Sequence, residues 1–145
     1  MILTKSDVLK VNLYKTVRMA PQPFINNSVN TVESGISLVG FGFLGAYRTV
    51  TGSGIAKCVM GVYNGRTGER QKVSVIVERN GFDIFSFWLD RPMVVMKGDS
   101  VMFNPEEVEG SLNAIDSGGQ EFCGEDGTLF NLSIMANSIA VLYYA

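Results

Sequence analysis

The sequence predicts an all-β fold, an antiparallel β-sandwich of about eight or nine strands. Three observations predict it. Apolar runs of strand length recur at roughly 8–12-residue spacing, divided by clusters of Gly, Asn and Asp that tolerate turn geometry. Sixteen Gly and nine Phe stand among 145 residues. No segment sustains the apolar stripe that a helix repeats every three to four positions.

The elements follow in chain order. Val8–Val17 reads as a strand or arm, and residues 1–30 as an extended arm or edge strand of one domain spanning 1–145. Thr4-x-x-Asp7 imitates a capping box, but Val8, Val11 and Leu13 keep no helical stripe, so one short turn is the most allowed. Ile36–Tyr47 reads as a strand whose Gly40, Gly42 and Gly45 let it bend or approach another backbone. Ile55–Tyr63 is a strand, followed by a turn at Asn64–Gly68.

Residues 71–89 carry the sharpest local pattern. Val73, Val75 and Val77 alternate, Asn80-Gly81 supplies a turn, and Phe82–Leu89 follows, which predicts a hairpin. A two-residue loop would set Glu78 against Asp83, a like-charge pair. A three-residue loop with Gly81 as a bulge avoids this and puts Val73, Val75, Phe85 and Phe87 on one face. Met93–Met96 and Ser100–Phe103 then flank a turn at Lys97-Gly98-Asp99, with Pro92 where a missing donor is tolerated. Residues 104–126 read as a long loop containing a short strand at Leu112–Ile115. Leu129–Met135 and Ile139–Tyr144 close the series.

A chain of this length fits one domain. Charged residues make up 18%, short of the usual quarter, so either more of the chain is buried or another chain covers part of its surface. Residues 1–72 hold nine basic side chains against three acidic, and residues 73–145 hold three against eleven. Such halves can neutralise each other within one fold or steer copies head to tail. Cys58 and Cys123 form no CxxC pair, and two free thiols are expected. The first fifteen residues lack the apolar run of a signal peptide, and no window is long and apolar enough for a membrane span.

The chemistry is mostly one of exclusion. With no His in the chain, His-based triads and imidazole ligands are ruled out. No phosphate loop or nucleophile elbow is present, no catalytic residue is assigned, and no cofactor or metal is called for. Glu106, Glu107, Glu109, Asp116, Glu121, Glu125 and Asp126 offer oxygen ligands for calcium, but the spacing matches no EF-hand and a solvated loop is the expected state. Lys5, Lys10, Lys15 and Arg18 lack the interleaved aromatics that nucleic-acid binding wants. Trp88 falls on the hairpin face opposite Phe85 and Phe87. Ile76 and Ile84 suggest that this face is buried too, so core packing is expected for Trp88. The alternative is a sugar-stacking platform at Trp88 and Tyr63, with Tyr47 a further candidate.

No charged residue occurs from Gly127 to Ala145 or from Ser34 to Tyr47. A final strand apolar on both faces needs covering on both, which predicts self-association through Leu142, Tyr143, Tyr144, Phe41, Phe43 and Tyr47. In general style along its length, the chain resembles accessory virion proteins of tailed phages, such as capsid decoration proteins and tail-fibre tips. That resemblance implies a jelly-roll-like structural protein that forms a homo-oligomer, with a trimer the expected form. It further implies a capsid or tail protein, or a surface glycan, as partner, and a place in the virion after synthesis in the host cytoplasm.

Overall fold

A computed structural model describes residues 8–14, 20–22, 27–31, 35–45, 55–78, 84–110, 112–116, 121–132, 136–137 and 139–145. Among them there is no helix, and every strand pairing is antiparallel. A four-stranded sheet has the order β1 (Leu9–Asn12), β13 (Val141–Tyr144), β4 (Ile36–Leu44), β7 (Ile84–Val95). A six-stranded sheet has the order β10 (Glu121–Cys123), β11 (Leu129–Leu132), β3 (Asn27–Thr31), β8 (Ser100–Glu109), β5 (Ile55–Asn64), β6 (Arg70–Glu78). Three short strands, β12 (Ala136–Asn137), β9 (Leu112–Asp116) and β2 (Ala20–Gln22), make a third ladder. The expected turn at Thr4–Asp7, the bulge at Gly81 and the side chain of Tyr47 lie outside the described residues.

The two larger sheets enclose one core. Alternation assigns its members: Ala56, Cys58, Met60 and Val62 of β5 point inward, and so do Phe41 and Phe43 of β4. Rings meet across the gap, Phe41 with Phe103 at 5.5 Å between centroids and Tyr144 with Phe130 at 5.1 Å. These edge-on contacts add to the area term that dominates burial of such side chains.

The predicted hairpin at 71–89 is not formed. β6 pairs with β5, with Glu78 opposite Ile55, whereas β7 pairs with β4 in the other sheet. The chain therefore crosses from one sheet to the other after Glu78. Val73, Val75, Phe85 and Phe87 do all pack on the same core, but from opposing sheets rather than from one face. Alternation marks which side chains look inward; it does not distinguish a partner beside the strand from a partner across the core. β6 instead forms a hairpin with β5, closed by the Asn64–Gly68 turn, with Asn64 N donating to Glu69 O at 2.9 Å.

Within 104–126 the described residues include the short strand expected at Leu112–Ile115 and more strand than expected around it. β8 runs on to Glu109, β9 covers Leu112–Asp116, and β10 covers Glu121–Cys123. Ladder pairing recruits polar sequence such as Asn104–Glu109 because β5 already offers its free edge, with Gly61 opposite Asn104 and Val59 opposite Glu106. The basic and acidic halves neutralise each other inside the chain in part, through Arg66–Asp99 at 2.6 Å and Lys72–Glu106 at 3.3 Å. Both cysteines are free, Cys58 buried and Cys123 exposed.

Candidate ligand-binding face

The functional candidate is the outer face of the four-stranded sheet. Phe85, Phe87 and Leu89 of β7 turn toward the core, so Ile84, Ser86 and Trp88 turn outward. On β13, Leu142 and Tyr144 turn inward and Tyr143 outward. Strand register lines up one transverse row of outward residues: Lys10 opposite Tyr143, Tyr143 opposite Gly40, and Gly40 opposite Trp88. The next row reads Asn12, Val141, Gly42 and Ser86.

The central strand thus offers two glycines, and their bareness shapes the face. A Cβ at Gly40 would stand 2.6 Å from Trp88 Cε3 and 2.7 Å from the Phe87 carbonyl oxygen. Only a residue without Cβ lets the indole lie across the strand. Trp88 uses that space to reach Tyr143, ring centroids 4.8 Å apart and planes tilted by 36°. The Tyr143 hydroxyl is held by Ser86 Oγ at 2.7 Å. Trp88 stays 54% exposed. The expectation that both hairpin faces are buried is overturned, since Ile76 and Ile84 are exposed as well. Ile76 lies on β6 at the edge of the six-stranded sheet, and Ile84 begins β7 at the edge of the other. At an edge, a neighbouring strand on one side is missing, and the cover it would give is missing with it.

Beside the rings a shallow cavity of about 250 Å³ is lined by Val8, Lys10, Trp88, Glu125 and Tyr143. Glu125 belongs to the tight turn after β10. Its Oε1 accepts from the backbone N of Lys10 at 2.8 Å, and its own N donates to Lys10 O at 3.2 Å. The turn is fixed from below, where the Tyr144 hydroxyl donates to Asp126 Oδ1 at 2.5 Å and Thr128 N donates to the same oxygen at 3.1 Å. These bonds, that from Tyr144 foremost, hold the Asp126 carboxyl below the usual carboxylate range. Burial and the bond to Asp126 push the Tyr144 phenol up to about 12.

Most of the residues expected at an interface lie elsewhere. Leu142, Tyr144, Phe41 and Phe43 are buried in the chain's own core. The edges of β13 are taken up by β1 and β4 and its inward face by the opposing sheet, which leaves its outer face on the surface of the four-stranded sheet. Among the described members of that group, Tyr143 alone faces out. Tyr63 lies on the outer face of the other sheet, half-buried under the Arg70 guanidinium at 5.4 Å, so it shares no platform with Trp88. Of the acidic residues weighed for calcium, Glu106 pairs with Lys72, Asp126 with Tyr144, and Glu125 with the Lys10 backbone. Among the described residues no three His, Cys, Asp or Glu side chains converge.

The meeting of Lys10 and Glu125 escaped sequence reasoning because they are 115 positions apart and come together only where the turn after β10 bonds to β1. The signal that was present is Gly40-x-Gly42, two glycines on one side of a strand, which announces a face cleared for a large neighbour. No family model matches the chain, and no curated protein matches it, so the chemistry of this face is what there is to interpret.

Proposed function

We propose that the chain is a non-enzymatic recognition module, a jelly-roll-like sandwich that binds a surface glycan through the outer face of its four-stranded sheet, as a tail-fibre tip would. The observation that carries this is Trp88, more than half exposed, laid over Gly40 and backed by Tyr143. An exposed indole costs solubility, and this one is positioned by a glycine and a second ring rather than left to pack at random. Polar groups border it, which is the composition of a site that takes an amphipathic ring.

The test uses the fact that Trp88 is the sole tryptophan, so tryptophan emission, excited selectively over tyrosine, reports this face. Retention on immobilised polysaccharides should be lost in Trp88→Ala while thermal unfolding stays within about 1 kcal/mol of the parent, as for an exposed position. Equal retention of parent and variant would refute the assignment.

A second occupant is favoured by one further observation. The next row outward joins Ala145, Ser37 and Val94, uncharged and with Val94 57% exposed. A second copy, or a capsid or tail protein, would cover such a surface. Light scattering across dilution separates the two: self-assembly through this face predicts a mass that falls, and Trp88 emission that moves to the red, as the oligomer dissociates.

A further inference from the structure

We propose that the cavity at Val8, Lys10, Trp88, Glu125 and Tyr143 binds one neutral pyranose ring, its C–H face on the Trp88 indole and two neighbouring hydroxyls shared between the Glu125 carboxylate and the Lys10 ammonium. The proposal rests on the reading of this face as a glycan surface and names what the face selects.

Size limits the ligand first. About 250 Å³ lies below the ~300–1,000 Å³ of pockets that hold drug-sized molecules, so one ring fits and an extended chain must continue outside. Ring geometry limits it next. The ring centroids of Trp88 and Tyr143 are 4.8 Å apart with planes tilted by 36°, so the two rings stack with an offset, and Trp88 stays 54% exposed. A cage for a methylated ammonium needs aromatic faces around a hole, which two rings stacked on each other do not enclose. The exposed indole of Trp88, with its negatively polarised π-face, attracts the weakly positive C–H groups that line one side of a pyranose.

Charge sets the class. Glu125 spends one bond of its Oε1 on the Lys10 backbone, and an ionised carboxylate keeps further lone pairs to accept from hydroxyls. Lys10 lines the same cavity and offers only donors. A hydroxyl is both donor and acceptor, so a pair of neighbouring hydroxyls satisfies the two residues together, with charge-assisted bonds. With one charge of each sign in the lining, a sugar carboxylate or ammonium gains from one residue what it loses to the other, whereas a neutral ring keeps both charge-assisted bonds. The carboxylate is held before any ligand arrives, because the turn that bears it closes through Gly124 N to Thr128 O at 2.8 Å and through Tyr144 to Asp126. Little ordering is left for binding to impose.

The test is a fluorescence titration of the full chain with the methyl glycosides of glucose, galactose and mannose, and with glucuronate and glucosamine. At least one neutral glycoside should change Trp88 emission saturably, with a Kd on the order of 1–10 mM for a ligand of about a dozen heavy atoms. Glu125→Gln should weaken that binding roughly tenfold at an unchanged melting temperature, as loss of a charge-assisted bond requires. Saturation-transfer NMR on the sugar should show no binding to Trp88→Ala. The proposal is overturned if no neutral glycoside saturates, if glucuronate or glucosamine binds tighter than all of them, or if Glu125→Gln binds as the parent does. Polysaccharide retention that needs Trp88 but ignores Glu125 would leave the glycan face standing and refute this site. Retention indifferent to Trp88 would refute both.

Discussion

At the scale of single residues, the side chains that matter are those whose surroundings differ most from water. Cys58 sits mid-strand in β5 among core residues, and burial pushes its thiol up to about 12. A thiol kept protonated is a poor nucleophile. Cys123 is exposed at the end of β10. The native protein should therefore react with a thiol reagent at one position, and the denatured protein, without reductant, at two. Reaction at both positions in native protein would show that β5 opens readily. Tyr144 makes the second residue-scale case. Its ring belongs to the core while its hydroxyl reaches Asp126. Tyr144→Phe should cost about 1 kcal/mol, the ordinary net worth of such a bond. The folded phenol titrates above its ordinary value, so its stabilisation is complete below about pH 10 and disappears as pH rises toward about 12. Melting temperatures taken across that window should fall more steeply for the parent than for the variant.

At the scale of elements, the turns carry more instruction than their length suggests. Asp99, in the turn between β7 and β8, is buried and receives Arg66 at Oδ1 (2.6 Å), Arg66 and Asn64 at Oδ2 (both 3.1 Å), and its own turn's Met96 N at 2.9 Å. Asn64 also donates to Val94 O at 3.2 Å. One carboxylate thus ties the β5–β6 turn of one sheet to the β7–β8 turn that leaves the other. The bonds from Arg66 and then Asn64 hold the Asp99 carboxyl well below the usual carboxylate range. A depressed folded value means that its stabilisation is complete above the ordinary value near ~3.9 and is lost as pH falls below it. Asp99→Asn should melt lower than the parent at neutral pH, and the gap should narrow on acidification. A gap that stays constant down to pH 2 would mean that the charge contributes nothing. The sequence made such turns legible: Asn64–Gly68 and Lys97-Gly98-Asp99 both occur where Gly, Asn and Asp announce them. It also made the inward sets legible, since Val73, Val75, Phe85 and Phe87 follow from alternation. The sheet to which β6 and β7 each belong was not legible, because pairing is chosen by strands far away in sequence. For the same reason Trp88 could be placed opposite Phe87 but not judged exposed, and Glu125 could be seen as acidic but not as a neighbour of Lys10.

At the scale of the whole molecule, the fold is held by pairings between distant segments, and the four-stranded sheet is the extreme case. β1 pairs with β13 from Leu9 opposite Tyr144 to Asn12 opposite Val141, and β13 pairs in turn with β4. β13 is therefore the bridge by which β1 joins the sheet, and Leu13 N adds a bond to Ala140 O at 2.9 Å. Leu142 and Tyr144 fill the core beneath, each stabilising by about 1.5–3 kcal/mol. The same strand presents Tyr143 to the face proposed for ligand, so binding surface and core share one element. Removing residues 139–145 would take away that bridge, expose the inward faces of β1 and β4, and leave β11 without the ring that meets Phe130. The lost burial of Ile139, Leu142 and Tyr144 alone approaches the ~5–15 kcal/mol that a domain has in total. The truncated chain should lose its cooperative thermal transition and become sensitive to dilute protease, whereas Trp88→Ala in the intact chain should keep both properties. A sharp two-state melt from the truncated chain would show instead that β4 and β7 hold the core against the six-stranded sheet unaided, and that β13 serves the outer face alone.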